Sequence, residues 1–276
     1  MISFSSDDLK KLFVPRRDSS KGQNGQVTII GGSKLFHGAP LFSLVTASRV
    51  VDMVFFASPD PSVGEVASKI KSKLLSFIWV PWEETEQYIK KSDSVLIGPG
   101  FMRFHNERDN NIQNVCDEKC KETTEITKKF LLAFPNKKWV IDAGSLQVLN
   151  PNWIPRLAIL TPNKKEYEMI FGKIDPESAA KKHNCVIALK GPTTFVYSPG
   201  ECWKVEGGNP GLTKGGSGDV EAGLTVALLA KNEPILAAAA SSYIIKKAAD
   251  LLYEEVGTAY NSDDLAARVP SCISRK

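Results

Sequence analysis

A glycine-rich loop at residues 208–219 carries the strongest chemical signal in this sequence, because it joins an open backbone to one carboxylate, Asp219, where an apolar helical pattern starts. Main-chain N–H groups that glycines leave accessible, together with the positive end of a helix beginning near Gly216, attract the anionic oxygens of a nucleotide or of a transferring phosphoryl group. Glycine and aspartate are also common at ordinary helix starts. The loop is therefore either a phosphate cradle with an attached base or a flexible segment with a capping aspartate.

A second candidate for phosphate contact follows a strand predicted at 185–189. It places a lysine at the carboxyl end of that strand, with a glycine turn behind it: Lys190, Gly191, Pro192, Thr193 and Thr194. A lysine ammonium and the N–H groups of a turn both bind phosphate, but a surface hairpin turn has the same composition. The segment 98–100 presents a similar choice between a close backbone approach to a ligand and an ordinary turn.

Two acidic positions have local explanations that compete with chemistry. Asp142 follows a strand predicted at 139–141 and could hold a hydrated Mg2+, although capping of the next helix is favoured. Asn163 and Glu166 have the spacing of a capping box, which is the preferred interpretation there. The three histidines share no metal-ligand spacing, so no metal ligand is assigned.

The elements that must position these residues alternate between short apolar strands and helical patterns. Strands are predicted at 27–30, 53–57, 77–80, 94–97, 139–141, 158–160 and 185–189, a hairpin at 194–205, and helices between the strands and after the hairpin. The polar stretch 103–129 keeps an approximate apolar stripe and is predicted to form a solvated surface helix. This alternation predicts an α/β fold with a mostly parallel central sheet, helices on both faces, and ligands at the carboxyl ends of the strands.

Length and composition favour one soluble domain spanning 1–276. The chain has 276 residues, 42% of them hydrophobic and 24% charged, with no linker-like segment. Its net charge of +4 comes from basic residues interleaved with acids, which argues against nucleic acid as a partner. Five scattered cysteines fit a reduced cytoplasmic protein without structural zinc. Neither a signal peptide nor a membrane-spanning apolar run is expected.

Taken in order, several short motifs resemble the NAD(P)H-hydrate dehydratase family over about residues 21–270. Each motif is weak alone, but their order and spacing are specific. The motifs are Gly31-Gly32-Ser33 with Gly38-Ala39-Pro40, Gly98-Pro99-Gly100, Ile141-Asp142-Ala143, Leu160-Thr161-Pro162 with Glu166, Leu189-Lys190-Gly191, and the loop from Gly208-Asn209-Pro210-Gly211 to Gly216-Ser217-Gly218-Asp219. The resemblance implies a three-layer ribokinase-like fold in the family's stand-alone form, without the epimerase domain fused to many members.

The resemblance also implies a reaction. An enzyme of this family removes water from the S form of hydrated NADH or NADPH with ADP or ATP and Mg2+, and so repairs the cofactor. Phosphorylating the hydroxyl makes its departure easy, and this explains how a kinase-like site can serve a dehydratase. A homo-oligomer is expected, because family members are commonly oligomers. A cytoplasmic location is expected as well.

The family pattern assigns roles to residues of this chain. Asp219 is expected to act as the general base. The hydrated nicotinamide is expected to lie against Ala39, Gly100, Asn163 and Asp219. The adenine nucleotide is expected to contact Lys190, Gly191, Pro192, Thr193, Thr194 and Gly218. Charge on the transferring phosphoryl group is expected to be stabilised by Gly215, Gly216, Ser217 and Gly218.

Departures from the family pattern concern mainly the substrate side. The family usually has His-Pro-Gly-Glu where this chain has Asn163-Lys164-Lys165-Glu166, so an amide replaces an imidazole. Phe101-Met102 stand where Leu-Gly is usual, and Ser217 replaces a threonine while keeping the hydroxyl. Two alternatives stay open: a ribokinase-like kinase acting on a vitamin precursor or sugar, which the loop and Asp219 would serve equally well, and a catalytically inactive nucleotide-binding relative.

Overall fold

All ten strands join one sheet in the computed structural model, which describes residues 1–102 and 116–273. The strands are β1 Ile2–Ser3, β2 Gln26–Ile30, β3 Met53–Ala57, β4 Ile78–Trp79, β5 Ser94–Ile97, β6 Lys138–Ile141, β7 Ile159–Leu160, β8 Val186–Leu189, β9 Thr194–Tyr197 and β10 Cys202–Val205. Their order across the sheet is β1-β10-β9-β8-β7-β6-β5-β2-β3-β4. Strands β8 to β4 in that order are parallel, and β9 runs antiparallel to both of its neighbours.

Helices cover both faces of the sheet. They are α1 Gly38–Ala47, α2 Pro61–Ile70, α3 Thr85–Lys91, α4 Glu118–Ala133, α5 Ala143–Gln147, α6 Lys164–Phe171, α7 Pro176–His183, α8 Ser217–Leu229, α9 Pro234–Val256 and α10 Ser262–Cys272. Successive side chains of a strand face opposite sides, and Leu96 packs into one core cluster while Val95 and Ile97 pack into the other. The predicted three-layer α/β architecture is therefore confirmed. None of the described helices is both long and apolar enough to cross a membrane.

The direction in which strands are added reverses between β2 and β5. The chain places β3 and β4 on one side of β2, then returns to build β5 to β8 on the other side. The turns that follow β2 and β5 meet at this reversal: the Gly32 amide donates to the Pro99 carbonyl at 2.8 Å, and a Cβ at Gly31 would lie 2.2 Å from the same oxygen. Open parallel sheets bind ligands at such a reversal. The two glycine turns thus form a close-packed floor at the ligand-binding edge.

One predicted helix differs from the described one, and one strand was missed. The surface helix predicted at 103–129 corresponds to α4, which begins at Glu118, and its earlier part, including Ile112 and Val115, lies outside the described residues. Strand β1 was not predicted, because a two-residue strand has no measurable periodicity. It pairs in parallel with β10.

The cysteines depart from the reduced state that the composition favours. Cys116 and Cys120 form a disulfide at the start of α4, with Cα atoms 5.2 Å apart. Residues four apart at a helix start lie close in space, so the pairing is local. Cys185, Cys202 and Cys272 are free. Burial raises the pKa of the Cys185 thiol to about 12, which keeps that thiol protonated and unreactive.

Candidate active site

The glycine-rich loop ends at the start of α8, as predicted. Gly216 is the N-cap residue, with a φ of 95° that favours glycine, and a Cβ at this position would lie 2.6 Å from the Phe42 ring. Asp219 lies in the first turn of α8. Both the backbone conformation and the space around the loop therefore require glycine at 216.

The loop is held by side chains within it and beyond it. Ser217 Oγ donates to the carbonyls of Leu212 and Lys214 at 2.6 and 2.9 Å, so this hydroxyl shapes the loop from inside. Ser262, in the first turn of α10, donates to the Gly215 carbonyl at 2.8 Å. The Lys214 ammonium donates to two carbonyls of the connection 258–260 that joins α9 to α10. The conformation of the loop thus depends on the last two helices.

Helix α1 connects three of the four residues predicted to bind substrate. Ala39 lies in its first turn, and Gly100 abuts the next residue, since a Cβ at Gly100 would lie 2.9 Å from Pro40. One turn later, Ser43 Oγ donates to the main-chain carbonyl of Asp219 at 2.7 Å. Asp219 is thereby fixed relative to the helix whose N-terminus carries Ala39.

A cavity of about 610 Å³ opens beside the loop. Of the residues predicted to bind nucleotide, those that line it are Lys190, Gly191, Pro192, Thr194, Ser217 and Gly218, whereas Thr193, Gly215 and Gly216 do not. Asn163, predicted on the substrate side, also lines this cavity, whereas Ala39, Gly100 and Asp219 do not. Its volume suits a nucleotide-sized ligand.

Lys190 lies between a buried carboxylate and the start of α8. Its Nζ donates to Asp142 Oδ1 at 3.1 Å, and a Cβ at Gly218 would lie 3.5 Å from that Nζ. Burial alone would lower the pKa of Lys190, but the carboxylates of Asp142, Glu221 and Glu166 outweigh it and raise the pKa above the usual range. A permanently charged ammonium therefore stands at the wall of the cavity beside the glycine loop.

The preferred capping role of Asp142 is wrong. Asp142 occupies the N-cap position of α5, but its side chain makes no capping bond. Instead the buried carboxylate accepts hydrogen bonds from Thr161 Oγ1 at 2.7 Å and from Lys190. Lys190 is 48 residues further along the chain, so local spacing could not reveal the pair.

The capping box at the start of α6 is confirmed. Asn163 Oδ1 accepts from the Glu166 amide and Glu166 Oε2 accepts from the Asn163 amide, both at 3.0 Å. Gln147 Nε2 donates to the other oxygen of Glu166 at 3.2 Å. Asn163 thus combines a local structural role with a place in the cavity wall.

Among the cavity residues that were not predicted are three polar or charged side chains on helices: Glu221, Ser242 and Lys246. Glu221 accepts a hydrogen bond from Ser242 Oγ, and Lys246 donates to main-chain carbonyls of two loops. Each belongs to a helical stretch that is otherwise mostly apolar, α8 or α9, and is at most 9% exposed. For Glu221 and Lys246 the sequence did contain a signal, namely a charged residue within an otherwise apolar helical pattern. Such groups are rarely buried unless they are paired.

A second cavity, of about 570 Å³, lies next to the β2 and β5 turns. Phe101 and Met102 form part of its wall, together with residues 32–35, residues 59–61 at the start of α2, and side chains from the first half of α4. Phe101 is 3% exposed, so its ring is packed inward. The two residues that depart from the family pattern after Gly100 therefore shape this space.

The sheet, the glycine loop at the start of α8 and the position of the lysine-walled cavity define an α/β protein of the ribokinase-like fold class. The fold matches a solved ribokinase-like superfamily protein from Enterococcus faecalis with a TM-score of 0.81 at 21% identity, covering 99% of this chain and 95% of that one. It also matches the ADP/ATP-dependent NAD(P)H-hydrate dehydratase from Bacillus subtilis, co-crystallized with ATP/Mg2+, with a TM-score of 0.77 at 20% identity, covering 98% and 97%. At these identities the likeness establishes the fold.

The family follows from the sequence comparisons. The NAD(P)H-hydrate dehydratase family model matches residues 27–271, and the chain belongs to that family. A bifunctional NAD(P)H-hydrate repair enzyme from Methanocaldococcus jannaschii is 35% identical over 96% of this chain, which spans 51% of that relative. An ADP-dependent (S)-NAD(P)H-hydrate dehydratase from Cenarchaeum symbiosum is 30% identical over 97% of this chain and 95% of that relative.

Proposed function

We propose that this chain dehydrates the S form of hydrated NADH or NADPH, using ADP or ATP, and so returns the damaged cofactor to its working form. The observation that carries the proposal is the placement of Asp219 in the first turn of α8, directly after the glycine loop and beside a cavity walled by Lys190. The family relationship supports the same reaction, since the C. symbiosum relative, which aligns over nearly its whole length, is named for it.

The cavity residues supply the electrostatics for phosphoryl transfer. The first amides of a helix lack intrahelical acceptors and lie at the positive end of its dipole. The start of α8 is therefore suited to the anionic oxygens of a transferring phosphoryl group, and Gly218 leaves that approach open. Lys190, with its raised pKa, adds a fixed positive charge at the same end of the cavity. These groups stabilise charge as it develops on the phosphoryl oxygens.

Asp219 is proposed as the base toward the substrate hydroxyl. Its carboxylate takes the hydroxyl proton while the hydroxyl oxygen forms a bond to the terminal phosphorus of the nucleotide, and the bond from that phosphorus to the nucleotide's bridging oxygen breaks. The C–O bond of the resulting ester then breaks, inorganic phosphate leaves, and loss of a proton from the neighbouring carbon restores the double bond. The bond from Ser43 to the Asp219 carbonyl fixes the base during these steps.

The carboxylates near the cavity fit Mg2+ that is held mainly by nucleotide phosphates. No group of three or more metal-binding side chains occurs within 1–102 and 116–273. Mg2+ commonly uses one or two carboxylates plus substrate phosphates and water. Glu221 lines the cavity, so its carboxylate would hold the ion together with the nucleotide phosphates and water. When bound, Mg2+ neutralises phosphate charge and orients the group that is transferred.

Asp219→Ala tests the proposed reaction. Purified protein is incubated with hydrated NADH, Mg2+ and either ADP or ATP, and recovery of the NADH absorbance band is followed. We expect the variant to lose roughly 100- to 10,000-fold in rate, the range for removal of a general base. Glu254→Ala, which removes an exposed carboxylate from α9, serves as the matched control and should retain the parent rate.

Three results would contradict the proposal in whole or in part. Phosphorylation of a vitamin precursor or sugar alcohol without NADH recovery would identify a kinase of the same fold. Nucleotide binding without turnover of hydrated NADH or NADPH would identify an inactive relative. An unchanged rate in Asp219→Ala would remove Asp219 from the role of base.

The cellular setting belongs to the same proposal. We propose a homo-oligomer that acts in the cytoplasm without a nucleic-acid or membrane partner. Family resemblance supports the oligomer, and the interleaving of acidic and basic residues supports the absence of a nucleic-acid partner. Light scattering on the purified protein measures the assembly, and a monomeric mass would contradict it.

A further inference from the structure

Lys246 has surroundings unlike those of the other lysine that lines the nucleotide cavity. It lies on α9, is 6% exposed, and donates hydrogen bonds to the carbonyls of Gly191, Pro192 and Gly207 at 3.2, 2.7 and 3.0 Å. An ammonium has three N–H donors. These contacts use all of them, so Lys246 has no donor left for a ligand.

The three carbonyls belong to two loops that both line the cavity. Gly191 and Pro192 follow β8, whereas Gly207 follows β10 and begins the segment that leads into the glycine loop. Both loops line the cavity, and so does Lys246. One ammonium therefore joins the two loops just beyond the end of the β9–β10 ladder, where Val205 pairs with Thr194.

A second side chain of α9, one turn after Lys246, also binds the segment 207–209. The Asp250 carboxylate accepts from the Gly208 amide at 2.9 Å and from Asn209 Nδ2 at 3.2 Å. A Cβ at Gly208 would lie 3.1 Å from Lys246 Cγ, so the lysine stem packs directly on this segment. Because Lys246 and Asp250 are four residues apart, they share one face of α9.

The charge of Lys246 is retained in an unfavourable place. Burial lowers the pKa of this lysine, and the carboxylates of Glu221 and Asp250 offset the effect only in part. Burying an ammonium costs desolvation free energy, and an apolar residue of similar size would fill the same space without that cost. Three carbonyl acceptors instead provide a specific use for the charge.

We infer that Lys246 is a positioning residue, which joins the 191–192 and 207 loops and so presets the width of the nucleotide cavity. The inference deepens the proposed function, since it concerns the nucleotide side of the same site. Because both loops are already fixed before the nucleotide binds, less conformational entropy is lost on binding. Lys246 acts through main-chain groups and makes no direct contact with the phosphates.

Lys246→Met tests this positioning role, because methionine keeps most of the stem and removes the charge and the donors. We expect the ADP dissociation constant, measured by calorimetry with Mg2+, to rise roughly ten- to a hundredfold. Hydrogen exchange of peptides covering 190–194 and 206–209 should become faster in the variant. Lys247→Met is the matched control, since Lys247 is the exposed neighbour on the same helix, and it should leave both measurements unchanged.

Chemical rescue separates the charge from simple packing. Lys246→Ala removes the equivalent of n-propylammonium, so adding that cation should recover ADP affinity, whereas 1-propanol of similar size should not. Wild-type ADP affinity and exchange in Lys246→Met would overturn the inference, and so would equal rescue by the cation and the alcohol. Neither readout requires hydrated NADH or NADPH, so both remain informative even if these compounds prove not to be substrates.

Discussion

The pair formed by Asp142 and Lys190 shows how one contact can serve both stability and ligand binding. The Asp142 side chain is 4% exposed and that of Lys190 22% exposed, so water screens the pair weakly. Lys190 also reaches toward the start of α8, as its distance to a Cβ at Gly218 shows. Loss of Lys190 therefore leaves a buried carboxylate with Thr161 as its remaining partner and removes a cation from the cavity.

Lys190→Met is expected to lower the free energy of unfolding by about 3 kcal/mol, the low end of the range for breaking a buried pair. Urea unfolding at neutral pH measures this loss, with the exposed Lys173→Met as control. Lys190→Met with Asp142→Asn should recover most of the stability, because the unpaired charge is gone, but not ADP affinity. Equal losses in the single and double variants would contradict the assignment.

The pH dependence of the stability that this pair provides follows from the direction in which the pKa of Lys190 is shifted. The pKa of Lys190 is raised in the folded protein, so the folded state holds its proton more tightly than the unfolded state. The stability from this group is therefore fully present below the ordinary lysine pKa, and is lost only as pH rises through the raised value. Unfolding curves of the parent and of Lys190→Met should keep the same separation across the neutral range.

At the scale of elements, the conformation at the start of α8 depends more on Gly216 than on Gly215. Gly216 combines a φ of 95° with a Cβ position 2.6 Å from Phe42, whereas a Cβ at Gly215 would meet no atom within 4 Å. Gly216→Ala should cost about 2 to 4 kcal/mol in the free energy of unfolding, from backbone strain plus overpacking. Gly215→Ala is the matched control and should unfold like the parent. Equal thermal midpoints for the two variants would refute this difference.

Local sequence patterns predicted the elements well where the interactions were local. The capping box of Asn163 and Glu166 is readable because both partners lie within one turn. The role of Asp142 could not be predicted, because its partner Lys190 follows β8 and only the folded sheet brings the two side chains together. The same reason hides Lys246, whose acceptors lie 39 to 55 residues away.

For the whole molecule, alternating strands and helices were enough to predict a mostly parallel sheet with two helical layers. They did not reveal where strand addition reverses, since periodicity carries no information about which strands become neighbours. Resemblance to a family supplied the ribokinase-like architecture, and six of the residues that it assigned to nucleotide binding line the cavity. The assigned roles of Ala39, Gly100 and Asp219 stay predictions, and Asp219→Ala tests the last of them.

Nucleotide binding should stabilise the whole fold, since the cavity draws residues from α9 as well as from the loops after β8 and β10. At an ADP concentration about 100 times the dissociation constant, linkage adds about 2.7 kcal/mol, which raises the thermal midpoint by roughly 5 °C. Thermal denaturation with and without ADP and Mg2+ measures the shift. Lys190→Met should show a much smaller shift at the same ADP concentration, and an absent shift in the parent protein would contradict the placement of the nucleotide.

The tethering of the glycine loop by the last helices has a consequence for the order of events on the ribosome. Residues 190–219 emerge during synthesis before Lys246, which joins their two loops, and before residues 258–262, which hold Lys214 and Gly215. A nascent chain that ends ahead of α9 thus has the two loops of the cavity wall but lacks the α9 side chains that complete the wall and join those loops. Nucleotide recognition is therefore among the last properties that the growing polypeptide acquires.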